Sequence, residues 1–138
     1  MAEKKLKIDI ITPKQILFSG EADLVNVPGM QSPFEVLYNH APIVSALERG
    51  MIRIADQKQG EQKFVSSPGF IEVLNNKVSI LVEKAENMDS LTILAIDKRI
   101  AVINNKLMQT EINEAEKISL NKDLDFEEYC KKIISKAV

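Results

Sequence analysis

The sequence predicts an all-β N-terminal sandwich of about ten strands followed by a C-terminal α-helical hairpin. Three observations carry that prediction. Through residues 1–86 apolar side chains recur at every second position in short runs, broken about every 8 to 12 residues by Gly, Pro or Asn pairs. Through residues 87–138 the apolar period changes to about 3.6. Between the strand-like runs there is no room for the crossover helix of about a dozen residues that a parallel βαβ unit needs.

The strands can be taken in order. KLKIDIITP alternates, with Leu6, Ile8 and Ile10 on one side and Lys5, Lys7 and Asp9 on the other. Pro13 closes it, because proline has no amide to give to a ladder. KQILFSG, ADLVNVPG and FEVLY follow, then MIRIADQ, QKFVSS, GFIEVLNN and KVSILVEKA. Gly20, Pro28-Gly29, Gly50, Gly60, Pro68-Gly69 and Asn75-Asn76 separate these runs. IEVLNNKVSIL is the strongest hairpin signal, since an Asn-Asn pair between apolar stretches suits a two-residue turn. NHAPIVSALERG fits the pattern least well. Pro42 can open a short helical turn with Ile43, Ala46 and Leu47 inward, or the segment can be a strand. Both readings stay open at this point.

In the second half, Ile93, Ile96, Ile100, Ile103 and Leu107 form one helical stripe, which Leu94, Ala101 and Met108 widen. The expected helix covers residues 88–108, capped by Asn87 or Asp89, and is about 30 Å long. Ile112, Ala115 and Ile118 begin a second helix, which NKD interrupts. DFEEYCKKIISKA then restarts it with Asp125 as N-cap and Glu128 in capping-box spacing. Phe126, Tyr129 and Ile133 line its apolar side, with Cys130 and Ile134 beside them. Lys131, Lys132 and Lys136 follow Glu127 and Glu128, as the helix dipole favours. The tail reads as a hairpin folded on itself or the body, or as an element whose stripe also fits a partner.

Composition excludes several functions. Of the 138 residues 45% are apolar, enough for a real core, and 18 Lys and Arg against 20 Asp and Glu leave a net charge of -2. That balance supplies no positive field for a phosphate backbone, so no nucleic-acid partner is expected. Cys130 is the only cysteine, which rules out an intrachain disulfide and the CxxC zinc patterns. No 18-residue apolar run marks a membrane span, and MAEKKLKIDII has no secretion-signal core, so an intracellular location is expected. His40 is the only histidine and reads as a loop residue bonded to its surroundings. No HxxxH spacing, serine-histidine-acid set or Gly-rich phosphate loop exists. No catalytic residue, metal ligand or cofactor is expected.

These residues resemble the epsilon subunit of bacterial F-type ATP synthase over essentially the whole length. KIDIITPKQILFSGEADLVNVPG, EVLYNHAPIVSALERGMIRI and SSPGFIEVLNNKVSILVEKAE carry the resemblance. NHAPIVSAL follows the family's Gly-His-Ala-Pro signature with Asn39 in place of the leading glycine. The resemblance implies a non-catalytic central-stalk subunit that couples proton translocation to ATP synthesis at the cytoplasmic face of the bacterial inner membrane. It implies contacts with the gamma subunit and the c-ring through a sandwich domain at 1–86. Pro28, Gly29, Met30, Gln31 and Ser32, with His40, would form the c-ring end. The helix-turn-helix at 87–138 would reach the alpha and beta subunits, using Ile93, Ile96, Ile100, Ile103, Lys131, Lys132 and Lys136, and restrain ATP hydrolysis. Some relatives bind ATP through an Asp-x-x-Arg-Ala motif. LDFEEY keeps Leu124 and Asp125, but Glu128 replaces the arginine, and a carboxylate repels phosphate, so tight ATP binding is not expected. From the residues alone, a β-sandwich binding module that oligomerises through its helical tail is the alternative.

Overall fold

The structure, a computed structural model, describes residues 4–137. The chain divides into two compact units, one ending at Asp89 and the other beginning at Ser90.

Among the described residues the first unit contains ten strands: β1 Leu6–Ile11, β2 Ile16–Ala22, β3 Leu24–Val27, β4 Phe34–Leu37, β5 Ile43–Leu47, β6 Gly50–Asp56, β7 Gly60–Ser66, β8 Gly69–Leu74, β9 Lys77–Val82 and β10 Ala85–Asn87. They form two five-stranded sheets, ordered β2-β1-β9-β8-β5 and β10-β7-β6-β3-β4. The pairings are antiparallel except β1 with β9. The predicted sandwich is therefore the observed one.

Alternation decides what each sheet buries. From the first sheet Leu6, Ile8, Ile10, Leu47, Ile71, Val73, Val78 and Ile80 point inward. Val25, Val27, Val36, Ile52, Ile54 and Phe64 meet them from the second. Phe18 on β2 crosses the gap to Phe64 on β7 edge to face, with ring centroids 5.8 Å apart. Asn75 and Asn76 take φ values of 50° and 65°, so the β8–β9 connection is a two-residue turn with both central residues left-handed.

The undecided NHAPIVSALERG segment forms strand β5. Ile43, Ser45 and Leu47 face inward while Val44 and Ala46 face out, so the helical option with Ala46 inward does not hold. Period two wins because β8 offers this segment a complete antiparallel ladder.

Lys5, just before β1, joins the two sheets. Its Nζ lies 2.6 Å from both Asp23 Oδ1 and Asp56 Oδ1. The bonds to Asp23 and then Asp56 raise the Lys5 pKa above the ordinary lysine value. Asp23 is held below the usual carboxylate range by Lys5 and by the Gln57 backbone N–H, and Asp56 by Lys5 and the Gln59 N–H.

The second unit is a pair of helices, α1 Ile93–Leu107 and α2 Glu114–Ala137, preceded by a short 3-10 turn at Met88–Ser90. α1 is shorter than expected because Thr92, not Asn87 or Asp89, caps it: Ala95 N–H donates to Thr92 Oγ1 at 3.1 Å. α2 runs without a break through Asn121, Lys122 and Asp123. None of these is glycine or proline, and each costs a helix less than about 1 kcal/mol relative to alanine. Asp125 is therefore an exposed mid-helix residue. The N-terminal cap is Asn113, whose Oδ1 accepts from Glu116 N–H at 2.8 Å while its Nδ2 donates back to Glu116 Oε1 at 3.2 Å.

Candidate partner-docking site

The two outer faces of the sandwich differ in chemistry. On the second sheet, Glu35, Asn26, Arg53 and Lys63 lie side by side in register across β4, β3, β6 and β7. Arg53 pairs with Glu61 at 3.0 Å and with Glu35 at 3.3 Å, and Lys63 pairs with Glu61 at 3.4 Å. The Arg53 contact is the main cause holding the Glu61 carboxyl below its ordinary range. This face satisfies its own charges.

The first sheet carries an apolar row instead. Ile16 on β2 is opposite Ile11 on β1, Ile11 opposite Leu81 on β9, Leu81 opposite Phe70 on β8, and Phe70 opposite Ala46 on edge strand β5. Five strands about 4.8 Å apart make a row roughly 19 Å wide. Ile16 is 63% exposed, Phe70 57% and Leu81 45%, and Val44, one pleat away on β5, reaches 72%. At the β1 and β8 ends Thr12, Pro13, Pro68 and Glu83 line a shallow, open groove beside Phe70 and Leu81. Gly69 is required beside it, because a Cβ there would run into the Leu81 carbonyl oxygen. Single exposed apolar side chains are ordinary, but a register row spanning a whole sheet is a candidate docking surface.

The loop after β3 is stitched to the end of β5. Met30 N–H donates to Ala46 O at 3.1 Å, Glu48 N–H donates to Pro28 O at 2.8 Å, and Gly29 bridges to Leu47. A Cβ on Gly29 would meet the Ser32 carbonyl and the Phe34 ring. Met30, Gln31 and Ser32 project from this loop and are exposed.

His40 is not there. β4 carries the chain about 13 Å away before the His40 turn begins, and β5 returns over a similar distance. His40 N–H donates to Leu37 O at 3.0 Å, and its Nδ1 donates to Ala41 O at 2.7 Å. The preceding Asn39 has φ 65° and bonds to Asn76 in the β8–β9 turn. The single end that the resemblance implied for residues 28–32 and His40 is thus two opposite ends of β4 and β5.

In the helical unit Ile93, Ile96, Ile100, Ile103 and Leu107 are buried or half-buried, whereas Leu94, Ala101 and Met108 face solvent. The stripe is narrower than the sequence suggested. On α2, Phe126 and Cys130 are buried and Ile118 is exposed. Lys131 Nζ lies 2.7 Å from Asp97 Oδ1, and Arg99 Nη1 lies 3.4 Å from Glu127 Oε1, so two ion pairs cross between α1 and α2. Lys131 is therefore engaged inside the hairpin, while Lys132 and Lys136 are exposed. Among the described residues no group of three or more His, Cys, Asp or Glu is placed to hold a metal ion. Among the described residues no helix is long and apolar enough to cross a membrane.

The fold is a ten-stranded sandwich, with an ion-paired row on one outer face and an apolar row on the other, followed by a helical hairpin. Comparison with known proteins gives the particular class. Residues 5–88 match the family described as ATP synthase, Delta/Epsilon chain, beta-sandwich domain. The chain is 38% identical over 82 residues to the ATP synthase epsilon chain of Chlorobium limicola, covering 59% of this chain and 93% of that one. It is 33% identical over 128 residues to the epsilon chain of Desulforamulus reducens, covering 88% and 94%. Its fold is similar to a chain of the Euglena gracilis mitochondrial ATP synthase, solved as OSCP/F1/c-ring, with TM-score 0.63, 16% identity and coverage of 91% and 79%. A chain of the Tetrahymena thermophila mitochondrial ATP synthase central stalk/c-ring gives TM-score 0.54, 12% identity and coverage of 99% and 98%. The chain belongs to the ATP synthase epsilon-chain family, and is a non-catalytic subunit with a coupling and regulatory role.

Proposed function

We propose that the apolar row on the first sheet docks this subunit onto the gamma subunit, and that the loop 28–32, through its exposed Met30, Gln31 and Ser32, rests on the c-ring. The observation that carries this reading is the contrast between faces: Ile16, Ile11, Leu81, Phe70 and Ala46 in one register row, against the ion-paired Glu35, Arg53, Glu61 and Lys63. Covering the row releases water from apolar surface without breaking an ion pair, whereas covering the other face would strip hydration from paired charges. Docked in this way the chain turns with the rotor and joins proton flow through the membrane sector to ATP synthesis. The subunit then sits peripherally, at the cytoplasmic face of the inner membrane.

The hairpin of α1 and α2 is the regulatory part of this proposal. Its exposed Leu94, Val102, Met108 and Ile118, with Lys132 and Lys136, supply apolar and basic contacts for the alpha and beta subunits that would restrain ATP hydrolysis. The test is reconstitution. Membranes stripped of this subunit should regain proton-driven ATP synthesis when the chain is added back. Restoration by an unrelated β-sandwich, or no restoration by this chain, would refute the proposal.

A further inference from the structure

Asn39 and Asn76 lie 37 positions apart in the sequence, yet they are bound to each other in both directions. Asn39 N–H donates to Asn76 Oδ1 at 2.6 Å, and Asn76 Nδ2 donates to Asn39 Oδ1 at 3.3 Å. Both residues hold φ at 65°, a left-handed conformation that glycine adopts more cheaply than any other residue. Backbone geometry alone would be met by glycine at either position as well as by asparagine. A two-residue turn needs only positive φ, which glycine at 76 would satisfy. The amide side chains are what the pair adds.

Their position gives them a role. β5 is the edge strand of the first sheet and has β8 as its ladder partner there. Its leading end, at Ile43, follows the Asn39–Pro42 turn directly. Asn76 also uses its main chain, accepting from Lys7 N–H at 2.9 Å, so one residue ties the β4–β5 turn to the start of β1. An edge strand held on one side opens locally more readily than a central one. Val44, the most exposed large apolar side chain of this sheet, is the second residue of β5.

We propose that Asn39 and Asn76 are positioning residues for the docking face: their reciprocal hydrogen bonds fix the leading end of β5, and with it Val44, before the partner arrives. The inference rests on the docking reading above. Order established during folding is order that association does not have to supply, and affinity rises accordingly.

Two variants separate positioning from folding. Asn76→Gly keeps the left-handed turn and deletes both side-chain bonds. Asn39→Gly keeps the backbone N–H and so the 2.6 Å bond to Asn76. Amide hydrogen exchange is read on each free chain, and docking on ATP synthase depleted of this subunit. Asn76→Gly should speed exchange at the Asn39 amide about 10-fold and weaken docking about 10-fold, with core amides such as Ile71 and Ile80 unchanged. Asn39→Gly should weaken docking by less than about 3-fold. Wild-type docking by Asn76→Gly would overturn the proposal, as would faster exchange of the core amides in the same proportion. A wild-type chain that does not dock at all would remove the docking reading itself, and the positioning role with it.

Discussion

Phe70→Ala is the perturbation that most sharply separates a docking face from an ordinary sheet surface. Phe70 is 57% exposed and stands between Leu81 and Ala46 in the apolar row. Complete burial of a phenylalanine side chain is worth about 1.5–3 kcal/mol, so somewhat more than half of that is still to be gained when a partner covers the ring. The expected loss on truncation is about 1–1.5 kcal/mol of docking free energy, or roughly 5–15-fold in affinity. The folded monomer loses only the buried part, about 1 kcal/mol, and its cooperative unfolding should persist. Calorimetric titration of the variant against ATP synthase depleted of this subunit measures the effect. Arg53→Ala, on the ion-paired face, is the control and should dock as the wild type does. Undiminished affinity in Phe70→Ala, with weakened docking in Arg53→Ala, would refute the assignment of faces.

Other consequences follow from the same structure. Asp23, Asp56 and Glu61 have lowered pKa values, so they stabilise the fold above the unfolded carboxylate range near pH 4, and this contribution disappears as pH falls through their folded values. Urea unfolding from about pH 7 to pH 2 should show that acid limb, and Lys5→Met should flatten it by removing the partner shared by Asp23 and Asp56; an unaltered slope would count against the triad. Removal of residues 88–138 should raise ATP hydrolysis by the assembled enzyme while leaving docking through the sandwich intact. Titration with ATP, followed by NMR, should show no saturation at micromolar nucleotide, because Glu128 offers a carboxylate where phosphate needs a cation.

Most of the sandwich was legible because its strands bury one face, which writes period two into the sequence. β5 was not, since an edge strand exposes Val44 and half-exposes Ile43 and Ala46, which blurs the alternation. The break expected at residues 121–123 is absent for a different reason: polar residues in a helix look like a connection when no neighbouring helix is in view. The N-caps at Thr92 and Asn113 did have a signal. Asn113 stands three residues before Glu116, a spacing that completes a reciprocal cap.

The docking row was beyond the reach of sequence. Residues 11, 16, 46, 70 and 81 become neighbours only through four strand pairings, one of them parallel. Residues 28–32 and His40 show the converse, since the resemblance implies one site and the four residues of β4 separate them. Asn39 stands where the signature of the resembled family has glycine. Its bond to Asn76 depends on a turn 37 positions away.

Affinity isolation of the tagged full-length chain from its own membranes, with subunit counting by mass spectrometry, addresses the central claim most directly. One copy of the chain per complex, recovered together with gamma and the c-ring, and recovered without them on Phe70→Asp substitution, is the predicted result. Recovery as a self-associated species free of rotor subunits would contradict it.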